Sequence, residues 1–375
     1  MKSIATYLTE LGSELAAAVR ADSPLYLGIA AYTLAGLAFL SYAGAEDQAT
    51  YAIYVVKWLV LFGIMMPMIS LACDYALMAH RFTGRRKLAA ARLFSPRRMA
   101  RLLAGIALLL SMIAFQGTFT SVKNALAVFQ GGFPHDAAQA DLDALLHFGT
   151  DPWRWLYAVG QHEIVRSAVE WNYNVLWFVI CFSSLFFVVT SSRTAALRTR
   201  YLVVFMLVWI VVGNLFAGVF LSAGPAFYGL VTGDTQRFAD QLGFLAQSTA
   251  AAHSATAYQQ YLWDLYASGR SGFGSGISAF PSIHVALIAM NAMFVWEYNR
   301  RLGIAAFAYV AFVAASSVYL AWHYAIDGYA AIAITFAIYA VVRRFLPDRV
   351  PSRRPVAGRE AEGYPTGPIT PSTVS

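Results

Sequence analysis

Apolar residues fill long, nearly uninterrupted stretches of this chain, and polar residues gather in the segments between them. Crossing the hydrocarbon core of a bilayer takes about 20 predominantly apolar residues in a helix. The pattern therefore predicts an all-α fold, a polytopic transmembrane helical bundle of about eight spans. The sixth predicted span is short, and the last two are almost continuous. The predicted spans are roughly 24–42, 51–73, 102–122, 172–190, 201–222, 282–297, 304–321 and 323–342.

The two ends of the chain follow different patterns. Near the start, Ile4, Leu8, Leu11 and Leu15 recur at helical spacing, which predicts a short amphipathic helix at the membrane surface rather than a secretory signal. From about Leu346 the chain is rich in Pro, Ser, Thr and Gly. Such a segment cannot bury a core, so a disordered tail is predicted over 346–375.

The composition favours a lipid environment. Hydrophobic residues make up 59% of the chain and charged residues 13%, with a mean hydropathy of +0.55. A soluble domain of this length needs far more charge to cover its surface. The composition therefore excludes an ordinary soluble domain and indicates an integral, multi-pass membrane protein.

Lysine and arginine are distributed unevenly between the two sets of connections. If the N-terminus is cytoplasmic, 21 of the 27 basic residues fall on the cytoplasmic side, five fall outside, and Lys57 lies in the second span near its outer end. Cytoplasmic loops of membrane proteins carry this excess. Both termini are therefore predicted to be cytoplasmic. The basic segment 81–101 is interpreted as an anchor beside anionic lipid, and no nucleic-acid partner is expected.

Neither the cysteines nor the loop histidines form a recognisable metal or disulfide pattern. Cys73 and Cys181 lie far apart inside apolar runs. His135, His147 and His162 occupy an acidic loop with a spacing that matches no metal site. Because no carboxylate cluster is available either, neither a metal nor another cofactor is expected.

Two other histidines have unusual neighbours. His284 follows Phe280-Pro281-Ser282-Ile283 at the predicted outer end of the sixth span. His323 opens the sequence His-Tyr-Ala-Ile-Asp, which ends at Asp327 near the outer end of the eighth span. Since two antiparallel spans return the chain to the same membrane face, the two histidines are expected to meet there.

These residue types suit phosphoryl transfer. His323 and Asp327, four residues apart, are expected to share a helical face, so that the carboxylate orients the ring and leaves Nε2 as a nucleophile. His284 would protonate the leaving oxygen. Ser282 and the N–H groups that open the sixth helix suit an anion. The sequence therefore predicts transfer through a phosphohistidine, on a membrane lipid phosphate or phosphodiester at the outer face.

The sequence 280–284, followed by Ser316-Ser317-Val318-Tyr319-Leu320 and by His323 with Asp327, resembles the type-2 phosphatidic acid phosphatase superfamily. Within it, the pattern looks most like the inositol phosphorylceramide synthase (aureobasidin-target) branch and its bacterial relatives. The resemblance implies that His284 is the acid, His323 the nucleophile and Asp327 its orienting partner. It also implies a six-helix catalytic core over 102–345, preceded by an N-terminal part, 1–101, with two additional spans. A bacterial inner membrane is the expected location.

The sequence departs from the phosphatase pattern at two places. No Lys followed six residues later by Arg-Pro occurs in the outer segments, and Ser317 stands where the phosphatases carry an arginine. Arg237 is predicted to replace a missing phosphate ligand, with Tyr228 beside it; a surface pair of Arg237 with Asp240 is an equal alternative. Arg270 and Lys123 are weaker candidates.

The acceptor of the phosphoryl group is predicted from the same departures. The transferase-like branch has an aromatic-proline stretch in the preceding outer loop, and 224–228, Gly-Pro-Ala-Phe-Tyr, fills that place. Transfer to an alcohol acceptor of the inositol or polyol type is therefore favoured over hydrolysis by a lipid phosphate or polyprenyl diphosphate phosphatase. The segment 143–153 is interpreted as a lid or an interfacial helix.

Two non-enzymatic classes fit the sequence less well. A lipid transporter would place ionisable groups near the membrane midplane, whereas these spans contain few charges and the polar residues cluster at one face. A haem-binding membrane protein would need pairs of histidines well inside the bundle, and the spans contain none.

Overall fold

A computed structural model describes residues 3–81, 83–248 and 254–347. Within these residues the chain forms helices joined by loops, without a strand. The helices are α1 (Ile4–Ala21), α2 (Ser23–Tyr42), α3 (Glu46–Arg81), α4 (Arg86–Leu93), α5 (Pro96–Gln130), α6 (Asp136–Leu146), α7 (Trp153–Gly160), α8 (Glu163–Thr190), α9 (Arg198–Val219), α10 (Tyr228–Thr232), α11 (Ala239–Ala246), α12 (Ala255–Ala267), α13 (Ile283–Tyr298), α14 (Arg300–Tyr319) and α15 (Ala325–Phe345).

The predicted transmembrane bundle is confirmed. Seven helices in the described residues are long and apolar enough to cross a membrane, namely α2, α3, α5, α8, α9, α14 and α15. The shorter apolar helix α13 coincides with the sixth predicted span. Several helices extend beyond the predicted apolar stretches: α5 covers 35 residues where about 102–122 was predicted. Helix ends depend on caps rather than on hydropathy, and α5 is capped by Gly131, which has the left-handed conformation.

Helix α13 lies in the interior of the bundle. Every residue from 285 to 294 is buried, and α13 packs against α8, α9, α14 and α15. A helix surrounded by other helices has little contact with lipid, so its length need not match the bilayer thickness. This position explains how a helix of 16 residues can serve as the centre of the fold.

A polar seam joins α3 to α5. The backbone N–H of Thr50 donates to the Ser121 hydroxyl at 2.9 Å, and the hydroxyl groups of Tyr54 and Thr120 are hydrogen-bonded. Gly117 allows close approach, because a Cβ there would lie 2.5 Å from the Tyr51 ring. The second span is therefore held against α5 in a fixed register.

Helix α1 confirms the helix predicted near the N-terminus. It packs along α5, and the Tyr7 hydroxyl donates to the Phe94 carbonyl at 2.9 Å. Its location at the membrane surface stays a prediction, and the predicted disordered tail lies outside the described residues apart from positions 346 and 347.

The two ends of the bundle differ in the contacts they contain. At the basic end, ion pairs join neighbouring helices: Arg98 with Asp74, Arg198 with Asp22, and Arg200 with Glu297. The opposite end, called here the site end, contains the long connections with α6, α7 and α10 to α12, and it contains His323. The structure thus separates the basic connections from the segments that surround the histidines.

Candidate active site

His323 lies in the short link 320–324 between α14 and α15. The N–H groups of Trp322 and His323 both donate to the Ser317 carbonyl, at 3.0 and 3.3 Å. Ala321 has a φ of +59°, a left-handed conformation that turns the chain. The expectation that His323 and Asp327 share a helical turn is therefore wrong, since α15 begins only at Ala325.

Asp327 nevertheless contacts the His323 ring. His323 Nδ1 is 3.1 Å from Asp327 Oδ2, and the same oxygen accepts a hydrogen bond from the Tyr324 N–H at 3.0 Å. Asp327 is completely buried, and His323 is 6% exposed. The carboxylate therefore holds the link and the ring together and fixes the direction of Nε2.

Two buried carboxylates of α6, called here the acidic bracket, hold the link from outside. Asp143 accepts hydrogen bonds from the N–H groups of Ala325 and Ile326 at 3.1 and 3.0 Å. Asp136 accepts hydrogen bonds from two backbone N–H groups, those of residues 223 and 224, and from the Tyr324 hydroxyl at 2.8 Å. Burial raises the pKa of both carboxyl groups above the ordinary value, although these donors oppose the shift.

The acidic bracket was not predicted from the sequence. Asp136 and Asp143 lie seven residues apart, which is two helical turns on one face, and this spacing was the available signal. Of the two interpretations of 143–153, the lid is not supported, because Asp143 is only 3% exposed and is hydrogen-bonded to the start of α15; the interfacial helix stays a prediction. The segment supports the site instead of covering it.

His284 lies in the first turn of α13, between aromatic rings. Its ring stacks on Tyr173, with centroids 4.5 Å apart, and contacts Trp177 at 4.2 Å. The Trp177 indole N–H donates to the His284 carbonyl at 3.0 Å. These contacts fix the orientation of the imidazole.

Ser282 has a structural role at the start of α13. Its hydroxyl accepts a hydrogen bond from the Val285 N–H at 3.4 Å, and its own N–H donates to the Asp327 carbonyl at 3.2 Å. Ser282 is fully buried. Instead of facing an anion, as the sequence suggested, it caps the helix and joins α13 to α15.

One cavity of about 690 Å³ brings the two histidines together. His284 and His323 both line it, as the sequence analysis expected, and Tyr173 and Trp322 form part of its wall. Two lysines, Lys57 and Lys123, also line the cavity. A cavity of this size is in the range that binds small molecules and head groups.

Arg237 and Tyr228 do not line this cavity. Arg237 pairs with Asp141 at 2.6 Å and with Asp151 at 3.0 Å. These partners raise its pKa above the ordinary value, against the opposing effect of burial. The predicted alternative, a pair of Arg237 with Asp240, is also wrong, because Asp240 lies 4.0 Å from Arg154 instead.

The other basic candidates divide between two cavities. Lys123, a weaker candidate in the sequence, lines the cavity of the histidines, whereas Arg270 lines a smaller neighbouring one. Arg237 was expected to be free for a phosphate, because nothing in the sequence shows that it pairs with acidic residues about 90 positions away. The partner of an arginine across such a distance follows from the packing of helices.

Ser317 does not line the cavity of the histidines. Ser317 is buried, and its hydroxyl donates to the Ala314 carbonyl at 2.7 Å. Among the described residues, no group of three or more His, Cys, Asp and Glu side chains is placed to hold a metal ion. The cavity therefore presents imidazole and ammonium groups to a ligand.

Comparison with known proteins identifies a family. The family model of the PAP2 superfamily matches residues 139–341, which is more than half of the chain. The matched range includes His284, His323 and Asp327 but neither Lys57 nor Lys123. No curated protein and no solved structure was found to match the chain.

Proposed function

The chain belongs to the PAP2 superfamily, and we propose that it is a membrane enzyme that transfers a phosphoryl group from a lipid to an alcohol through phospho-His323. One observation supports this proposal most strongly: His323, oriented by buried Asp327, lines the same cavity as His284. A nucleophile and a proton donor that face one cavity are what such a transfer requires. The match to the family model confirms the resemblance to the type-2 phosphatidic acid phosphatase superfamily, and the narrower branch stays a prediction.

The first half-reaction forms the phosphorus–nitrogen bond. Nδ1–H of neutral His323 donates to Asp327, and the lone pair of Nε2 attacks phosphorus. The bond from phosphorus to the leaving oxygen breaks, and its electron pair stays on that oxygen. Protonated His284 gives this oxygen its proton. The positive charge that develops on the His323 ring is stabilised by the Asp327 carboxylate.

The second half-reaction returns both histidines to their starting states. Neutral His284 removes the proton from an incoming hydroxyl group, whose oxygen attacks the phosphorus of phospho-His323. The phosphorus–nitrogen bond breaks, and its electron pair returns to Nε2. The incoming molecule is an alcohol in a transferase and water in a phosphatase, and no other step differs between the two.

The segment 224–228 favours an alcohol acceptor. The N–H of Ala226 donates to the Ala321 carbonyl at 2.9 Å, and Phe227 lines the cavity. Gly224 has a φ of +93°, and a Cβ there would lie 2.7 Å from the Trp322 carbonyl oxygen. This stretch therefore packs directly against the link of His323, and we assign it to the binding of the acceptor, a polyol of the inositol type.

The choice between transfer and hydrolysis is tested by partitioning. Purified protein is given a lipid phosphate or a lipid diphosphate with inositol or another polyol at increasing concentration, and free phosphate and the phosphorylated alcohol are both measured. We expect the transfer product to rise while free phosphate falls in proportion. Rapid phosphate release that no alcohol diverts would identify a lipid phosphatase, and the H323A variant should form neither product.

A further inference from the structure

We propose that Lys57 and Lys123 form an anion-binding subsite in the cavity of the histidines, so that the lipid substrate carries a second anionic group beside the phosphoryl group that reacts. This inference rests on the proposed function. It extends the site to α3 and α5, which lie outside the part of the chain matched by the family. The substrate class is a lipid with a diphosphate or an otherwise doubly anionic head group.

The charge of the cavity wall is the first argument. The described residues that line it include two lysines and two histidines but neither aspartate nor glutamate. Among the described residues, no carboxylate oxygen lies within 4.0 Å of either lysine ammonium. The cavity is therefore positive, and an anion that enters it meets no repulsion from a carboxylate on the wall.

The other basic residues at the site end differ from these two lysines. Arg237 is paired with Asp141 and Asp151, and Arg166 donates to the carbonyl groups of Phe244 and Gln247 at 2.6 and 2.9 Å. Both arginines thus bind carboxylate or carbonyl groups of the protein itself. The lysines are the basic groups of the cavity that are available to a ligand.

Each lysine is directed into the cavity by its own local structure. The Lys57 ammonium lies 4.5 Å from the centroid of the Phe273 ring, a residue of the cavity wall. The stem of Lys123 passes over Gly276, where φ is +90° and a Cβ would lie only 2.9 Å from Lys123 Cγ. The loop 273–276 therefore contacts both lysines: the Phe273 ring lies beside the Lys57 ammonium, and Gly276 leaves space for the stem of Lys123.

The two lysines act at different places in the cavity. Lys123 lines the same cavity as His284 and His323, and we assign it to the phosphoryl group that reacts. Lys57 lies beside Phe273 in the cavity wall, and we assign it to the second anionic group. The seam of Thr50 with Ser121 holds α3 and α5 in register, so the relative position of the two lysines is fixed.

Direct binding measures this subsite independently of catalysis. Inorganic pyrophosphate and inorganic phosphate are titrated into the purified full chain, and heats of binding are recorded. Pyrophosphate should bind at least about 10-fold more tightly than phosphate, because a charged hydrogen bond is added. K57Q should lose this preference but keep its affinity for phosphate, K57R should retain the preference, and K123Q should weaken both anions.

The matched control is R154Q, which removes one positive charge from the site end without touching the cavity. It should bind both anions as the unaltered protein does. Equal binding of the two anions by the unaltered protein, or an unchanged preference in K57Q, would overturn the subsite. Failure of the proposed function looks different: pyrophosphate binds with the stated preference, yet lipid phosphates yield no product.

Discussion

At the scale of single residues, the pair of His323 and Asp327 determines what the cavity can do. Oδ2 of Asp327 accepts hydrogen bonds from the ring and from the Tyr324 N–H, while Oδ1 is buried without a hydrogen-bond partner among the described residues. A buried carboxylate is costly unless a charge compensates it. In the proposed reaction, a phosphorylated and positively charged His323 would provide that charge, and the arrangement would then favour the intermediate over the free enzyme.

We predict that D327N lowers the rate of product formation by a factor of about 10³ to 10⁴. An amide cannot stabilise the positive charge on the His323 ring, and it no longer holds the ring in the tautomer with the proton on Nδ1. The measurement is the initial rate of phosphate release and transfer at saturating lipid. The control is elution of D327N as the same single species in size-exclusion chromatography. A folded D327N that retained a tenth of the activity would contradict the role given to Asp327.

The residues of the site were predictable from the sequence to different degrees. His284, His323 and Asp327 were selected because two motifs lay at the same predicted membrane face, and the cavity contains both histidines. Their chemical roles stay predictions. Lys123 was underrated in favour of Arg237, since the ion pairs of Arg237 with Asp141 and Asp151 arise only from the packing of the loop helices.

At the scale of helices, α6 controls the start of α15. The first N–H groups of a helix are unsatisfied and attract anions. At the start of α15, the N–H groups of Ala325 and Ile326 already donate to the Asp143 carboxylate, which takes the place of a bound anion. A substrate anion is therefore not expected at the start of α15, and the fixed start of this helix keeps Asp327 beside His323.

We expect D143N to lower both the thermal stability of the protein and its activity. The new amide NH₂ would face one of the two backbone N–H groups that now donate to the carboxylate, and that N–H would lose its acceptor. An unsatisfied buried donor costs about 1–3 kcal/mol. Thermal unfolding in detergent and initial rates are the measurements. D141N is the matched control: Asp141 lies on the same helix, is 73% exposed, and forms a surface pair worth at most about 1 kcal/mol.

Equal effects of D141N and D143N would show that the acidic bracket does not hold the site.

The bracket and its helix also illustrate what hydropathy cannot reveal. The eight apolar stretches were long enough to be recognised, but α6, α7, α11 and α12 are short helices of mixed polarity. Such helices are stabilised by tertiary packing more than by their own sequence.

At the scale of the whole molecule, the basic connections and the site lie at opposite ends of the bundle. The excess of lysine and arginine predicts that the basic end is cytoplasmic and that the site end faces outward. A substrate in the outer leaflet would then reach the cavity without crossing the membrane. The structure gives the separation of the two ends, and the direction of insertion follows from charge alone.

Cysteine labelling tests this orientation. In a C73S background, where the remaining Cys181 is buried, R270C places a thiol at the site end and R86C places one at the basic end. A membrane-impermeant maleimide added to intact cells should label R270C at once and R86C only after permeabilisation. The reverse order would place the cavity on the cytoplasmic side.

The central claim is that the phosphoryl group passes through His323, and rapid-quench trapping tests it most directly. The full chain is mixed with a lipid substrate radiolabelled at phosphorus, quenched in alkali within the first turnover, digested and analysed by mass spectrometry. The account predicts an acid-labile, alkali-stable phosphate on Nε2 of His323 that appears before the product and is absent from H323A. Turnover with no labelled His323 at any time, or with the label on another residue, would contradict it.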